Sequence, residues 1–217
     1  MTDDRKSGIA LVVGSLGGVL TMAIHPTGAG ASLPPEQVAH LSFISAVSHS
    51  IAMVSVLLLF LGGCGLARRM AAPDRISFVA IVTLGFACVA VLIATAVSGF
   101  IIPDIWKHML GDVPAAAHQW RIVMYGVFQI NQAFSRIYAV GSSMAILLWS
   151  VAGLRNGGLR RSVTIYGCVV AALITVGIAI GHLRLDVHGM AIVVVAQTIW
   201  FIAVGWQLWS ANVRTEN

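Results

Sequence analysis

The sequence predicts an all-α polytopic membrane protein, a six-helix transmembrane bundle in which residues 1–217 form one transmembrane domain. Three observations predict it. Charged residues make up only 10% of the chain, where a soluble domain carries about a quarter, and so few charges cannot cover a water-facing surface. The 58% of hydrophobic residues come in continuous blocks rather than at the spacing of a surface helix. Six of these blocks, 8–25, 42–66, 77–102, 128–153, 162–182 and 189–209, are long enough to cross a core of about 30 Å at a rise of about 1.5 Å per residue.

The first block carries Gly14-x-x-x-Gly18 with Gly17 beside it, a small-residue face that lets helix backbones approach closely in lipid. Ala29-Gly30-Ala31 after it resembles a signal-peptidase site. However, Asp3 and Asp4 dilute the positive leader and the apolar run exceeds a usual leader core, so the span is expected to be retained. In the second block Ser42, Ser45 and His49 fall on one helical stripe that turns apolar at Ala52 and Val56, the pattern of a cavity with a closed floor. The third ends at Pro103-Asp104. The connection beyond it, with Trp106, His108, Met109 and Leu110, is expected to lie along the interface or to form a lid. The fourth is interrupted by Gln129, Asn131, Gln132, Ser135 and Arg136, and reads as one long projecting helix or as two segments with a break. Between the fifth and sixth, His182-Leu183-Arg184-Leu185-Asp186-Val187-His188 alternates polar with apolar. Cys64, Cys88 and Cys168 sit inside apolar runs without CxxC spacing and read as buried small hydrophobes.

Basic residues orient the bundle. Arg5, Lys6, Arg68, Arg69, Arg75, Arg155, Arg160, Arg161 and Arg214 all fall at span ends on one side, against Lys107, Arg121 and Arg184 in the opposite loops and Arg136 near a span end there. The positive-inside rule then makes both termini cytoplasmic, as in a bacterial cytoplasmic membrane. Trp149, Trp200, Trp206 and Trp209 are expected as anchors near the inner interface, with a deeper place as the alternative for Trp200. The net charge of +5 follows from these loops, and no basic stripe with interleaved aromatics speaks for nucleic acid.

With the inner arginines as a ruler, His25, His49, Arg136, His182 and His188 stand in one layer about 28–32 Å away, near the outer face. Asp104 and Asp186 join that layer, while His40, His108 and His118 lie too far outside. Histidine is the usual transition-metal ligand and proton carrier near neutral pH. The layer therefore predicts an outward-facing His/Asp/Arg pocket for a transition metal or small ligand. His25, His49, His182, Asp186 and His188 are the candidate ligands of a zinc-like metal. Arg136, Gln132, Gln129, Ser45 and Asp104 are the candidate contacts of a small ligand or lipid. Arg136 stays charged and is expected to face an anion, either Asp104, Asp186 or a lipid phosphate. A b-type haem held by two histidines is a variant. The alternative is a non-enzymatic accessory subunit, carrier or sensor without a metal, part of an oligomer or a larger membrane complex.

Ser45-x-x-x-His49 resembles the serine and histidine of the ceramidase and adiponectin-receptor class of seven-span zinc hydrolases. The resemblance covers one helix. It implies a metal-bound water attacking an amide or ester, with Asp186 or Asp104 as base. That class carries H-x-x-x-H in its last span, whereas here His182 and His188 lie six positions apart across a loop.

Overall fold

A computed structural model describes residues 3–26, 34–70, 75–111 and 114–210; Ala29-Gly30-Ala31 and Arg214 lie outside them. Six helices are long and apolar enough to cross a membrane, and no strand occurs among the described residues. They run α1 (Asp3–Ile24), α2 (Pro35–Met70), α3 (Ile76–Ala96), a π-helical segment (Val97–Ile101), α4 (Ile102–Gly111), α5 (Pro114–Asn156), α6 (Arg161–Ala179) and α7 (Val187–Ser210). The third span is thus α3, the π segment and α4 end to end. The connection expected to lie flat or form a lid is instead mostly a continuation of that span.

The doubtful fourth block resolves as one helix. α5 has 43 residues without a break, about 65 Å of helix, roughly twice the hydrocarbon thickness. Its polar residues do not interrupt it because glutamine, serine and arginine disturb a helix little when they have a wet or cavity-facing side.

The helices form a closed ring in which α1 packs on α2, α2 on α3, α3 on α5, α5 on α6, α6 on α7 and α7 back on α1. Connections alternate between an arginine end (Arg68, Arg69, Arg155, Arg160, Arg161) and a histidine end (His25, His182, His188). Glycine explains how α1 is gripped on both sides. A Cβ on Gly14 would lie 2.8 Å from the Leu59 nitrogen and 2.8 Å from the Ser55 carbonyl of α2. One on Gly8 would lie 2.5 Å from the Gly205 carbonyl of α7. The small-residue face of the first span therefore packs inside the bundle. Lipid offers no hydrophobic drive between helices, so such backbone approach and interhelical hydrogen bonds hold them together. The Thr21 hydroxyl donates to the Ser48 carbonyl (3.2 Å) and the Thr198 hydroxyl to the Ser15 carbonyl (3.2 Å).

Tryptophan placement departs from expectation. Trp149 and Trp200 are fully buried, stacked 6.1 Å apart at the centre of the core toward the arginine end. The Trp149 indole N–H donates to the Ser77 hydroxyl (3.0 Å), which makes its burial tolerable. Only Trp206 and Trp209 reach the surface, where the Arg5 guanidinium lies 5.5 Å from the Trp209 ring. Asp4 pairs with Arg69 at 2.7 Å, tying the start of α1 to the end of α2.

At the histidine end the 182–186 connection is irregular rather than extended. It still sorts by polarity: His182, Arg184 and Asp186 are exposed and Leu185 is buried. Asp186 Oδ1 accepts the Gly189 N–H at 2.9 Å, which makes it the N-cap of α7. Asp186→Ala is expected to cost about 1 kcal/mol of stability, whereas Asp186→Asn, which keeps a capping oxygen, stays close to wild type. Thermal midpoints in detergent check this, and equal losses in both variants would mean the carboxylate acts by its charge rather than as a cap.

Candidate functional site

The site is built around the break in the third span. A π turn sends each N–H five residues back, and the Ile102 N–H bonds the Val97 carbonyl in this way. The next donor in the series would be residue 103, but proline has no N–H. The Ser98 carbonyl is thereby freed, and it accepts the Ser45 hydroxyl from α2 at 3.1 Å. Gly99 lets the two helices close at this point, since a Cβ there would lie 2.5 Å from His49 Cβ.

His49 sits buried against this break. Its Nδ1 lies 2.7 Å from the Ser45 carbonyl. A carbonyl only accepts, so Nδ1 carries the proton. The neighbouring hydroxyls agree, because Ser45 Oγ donates to Ser98 and Ser48 Oγ donates to the Ser45 carbonyl, which leaves both as acceptors facing Nδ1. In the neutral ring Nε2 is then the lone-pair nitrogen.

His25, the first residue past α1, repeats the arrangement. Its Nδ1 donates to the Pro26 carbonyl at 3.0 Å. The two rings meet edge to face, centroids 4.9 Å apart and planes at 66°. Burial pushes the His25 imidazole below the ordinary histidine range, and the hydrogen bond to Pro26 opposes that only in part. Among the described residues, every hydrogen bond these two rings make passes through Nδ1.

Both histidines line a cavity of about 550 Å³ inside the ring. Exposed Asp186 and Phe128 belong to its wall, so it meets the surface at the histidine end. It reaches down to Leu59 and Phe201, about 14–16 Å short of the arginine-end termini of α2 and α7. The second-span stripe suggested a floor just below His49; the cavity continues past it because Ser55, Val56 and Leu59 still face inward. The lower wall is mostly apolar with scattered hydroxyls. Gln197 is satisfied there, its amide donating to the Ser142 (2.8 Å) and Ser143 (3.0 Å) hydroxyls. Asn131 Oδ1, by contrast, is buried with no hydrogen-bond partner.

No known protein family, curated protein or solved structure matches the chain.

Of the predicted site residues, His25, His49, Ser45, Gln132 and Asp186 share this cavity, and Asp186 is occupied as the cap of α7. Gln132 donates to the Leu185 carbonyl at 3.1 Å, tying α5 to the connection before α7. His182, His188, Arg136, Gln129 and Asp104 are exposed and are not among the lining residues. Helical phase explains most of these. On α7 the lining stripe runs Val187, Met190, Val194, Gln197 and Phe201, and His188 is turned about 100° from it. On α5 the stripe is Phe128, Asn131, Ser135 and Tyr138, which carries Arg136 and Gln129 onto an outer face. No ion pair joins Arg136 to Asp104 or Asp186 among the described residues; Asp104 instead lies 3.9 Å from His108. Asp104 follows Ile102 by two positions on α4 and so points away from the cavity. His182 follows Gly181, whose φ of +75° turns the chain out of α6, and α6 contributes none of the lining side chains. Among the described residues no group of three or more His, Cys, Asp or Glu side chains is arranged to hold a metal ion.

Sequence reasoning missed the π segment and Trp106, which lines the cavity beside it. The available signal was Gly99 four residues before Pro103 within an apolar run.

Proposed function

We propose that this protein is a membrane-embedded binding protein for a small amphipathic molecule, whose hydrogen-donating head rests on His25 and His49 and whose apolar body fills the lower cavity. One observation carries the reading: two neighbouring imidazoles keep their Nδ1 protons on backbone carbonyls, and among the described residues their Nε2 lone pairs have no partner. The buried Asn131 Oδ1 adds a third unused acceptor. Three acceptors above an apolar chamber favour a ligand that brings donors. The cavity volume of about 550 Å³ falls in the range of small-molecule sites, about 300–1,000 Å³. The excess of basic residues at the arginine end supports an orientation with both termini in the cytoplasm and the cavity mouth outside.

The test uses 4-hexylphenol and its methyl ether 4-hexylanisole, which differ in one donor. Purified protein in detergent is expected to be stabilised by the phenol about tenfold more tightly than by the ether, the weight of one buried hydrogen bond. His49→Ala is expected to remove that preference. Equal binding of both probes, or a phenol preference that survives in His49→Ala, would overturn the reading.

A further inference from the structure

We propose that the His25–His49 corner also holds a cuprous ion, ligated by the two Nε2 atoms and a methionine thioether from the same cavity. The inference rests on the reading of this corner as a binding point; the ion and a donor head would compete for the same two nitrogens, and the ion leaves the lower chamber free.

Three observations support it. The first is tautomeric. Histidines that ligate through Nε2 characteristically donate Nδ1–H to a carbonyl or carboxylate, which fixes the ring and raises the basicity of the ligating nitrogen. Both rings do so, to Pro26 at 3.0 Å and to Ser45 at 2.7 Å. Secondly, the distance between the ring centres is compatible with a shared ion. With metal–nitrogen bonds of about 2.0 Å and ring centres about 1.2 Å behind the nitrogens, a near-tetrahedral angle puts the centroids about 5 Å apart. They stand 4.9 Å apart.

The third observation selects the ion. Zinc takes about four ligands and usually wants at least one more nitrogen, thiolate or carboxylate. Among the described residues no third His, Cys, Asp or Glu completes such a set. What the cavity does offer is soft sulfur, in Met22, Met124 and Met190. Met22 stands in the last turn of α1, three residues before His25, and lines the same cavity. Thioether and imidazole donors suit Cu(I), which accepts low coordination. A monovalent ion on neutral ligands also brings half the charge of a divalent one into a chamber with apolar walls, where uncompensated charge is costly.

The experiment titrates detergent-purified protein with Cu(I) under anaerobic conditions against a chromogenic Cu(I) chelator, with Zn(II) in parallel. Wild type is expected to take one Cu(I) per chain. His25→Ala and His49→Ala should each weaken it about a hundredfold, and Met22→Leu about tenfold. Zn(II) should bind far more weakly. X-ray absorption of the loaded protein should show two nitrogen neighbours and one sulfur. Absence of Cu(I) binding in wild type, binding unchanged in both histidine variants, or Zn(II) bound as tightly as Cu(I) would overturn the proposal. The phenol–anisole difference separates the two failures. If it persists without Cu(I) binding, the ion alone is refuted; if both are lost in folded wild-type protein, the corner is not a binding point. His49→Gln, which keeps a polar side chain of similar size, guards against misfolding of the alanine variant and should lose Cu(I) to a similar degree.

Discussion

Gly99→Val is expected to weaken 4-hexylphenol binding about tenfold while the chain still enters the membrane and folds. A Cβ at this position would meet His49 Cβ at 2.5 Å and Cγ at 2.8 Å. Side chains of ordinary proteins do not approach so closely, and a valine adds two more methyl groups. His49 cannot yield by a small rotation, because its Nδ1–H is held by the Ser45 carbonyl on its own helix. Either the ring leaves its place, or the π segment moves away from α2 and the Ser45–Ser98 hydrogen bond breaks. Overpacking of about 1–3 kcal/mol falls on stability, while the ligand loses one buried hydrogen bond to His49, which gives the tenfold estimate. Gly99→Ala should show the same defect more mildly. Binding isotherms of the two variants beside wild type decide it, with size-exclusion profiles to establish folding. Phenol affinity in Gly99→Val within threefold of wild type would mean that the close contact has no bearing on the site.

The second large effect concerns assembly. Gly14→Val is expected to lower stability by about 3 kcal/mol or more, with most of the protein lost as aggregate on extraction. The atoms in the way are the Leu59 nitrogen and the Ser55 carbonyl, both main chain and both at 2.8 Å. A flexible side chain can swing aside, but an α-helical backbone cannot, so α1 would have to separate from α2. Gly18, four residues on in the same motif, is the internal control. Its nearest neighbour is Val194 Cγ1 at 3.6 Å, ordinary van der Waals contact, and Gly18→Ala is expected to be tolerated. Thermal midpoints and monodisperse yield of the two variants should therefore diverge sharply. Equal tolerance would show that the motif does not set the α1–α2 distance.

Much of the fold was legible because lipid imposes a simple rule: every spanning segment must satisfy its own backbone. Long apolar blocks therefore had to be helices, and all six are. What hydropathy could not resolve was azimuth. Height along the bundle can be read from counting residues, and the polar layer at the histidine end was found in that way. Which side chains of the layer face inward depends on helical phase and on which helices border the cavity. His25 and His49 converge because α1 and α2 are neighbours on the cavity side. His182 follows α6, which lends no side chain to the cavity, a fact no single-helix pattern contains. Counting residues does not separate Arg136, which is exposed, from Ser135 beside it, which turns inward. Trp149 and Trp200 likewise look like interface residues by position, and only three-dimensional packing reveals them as the core pair.

The π segment has a geometric consequence for everything above it. A π turn amounts to one extra residue wound into an α-helix, so α4 is rotated by about 100° from where an uninterrupted helix would have carried it. That rotation determines which α4 side chains roof the chamber, and Trp106 is among them. Removing Phe100, which does not line the chamber, would swing the indole out of the roof while Val91, Ala94 and Thr95 below keep their places in the wall. The sorting of inside from outside over the mouth of the bundle thus depends on one residue's worth of winding.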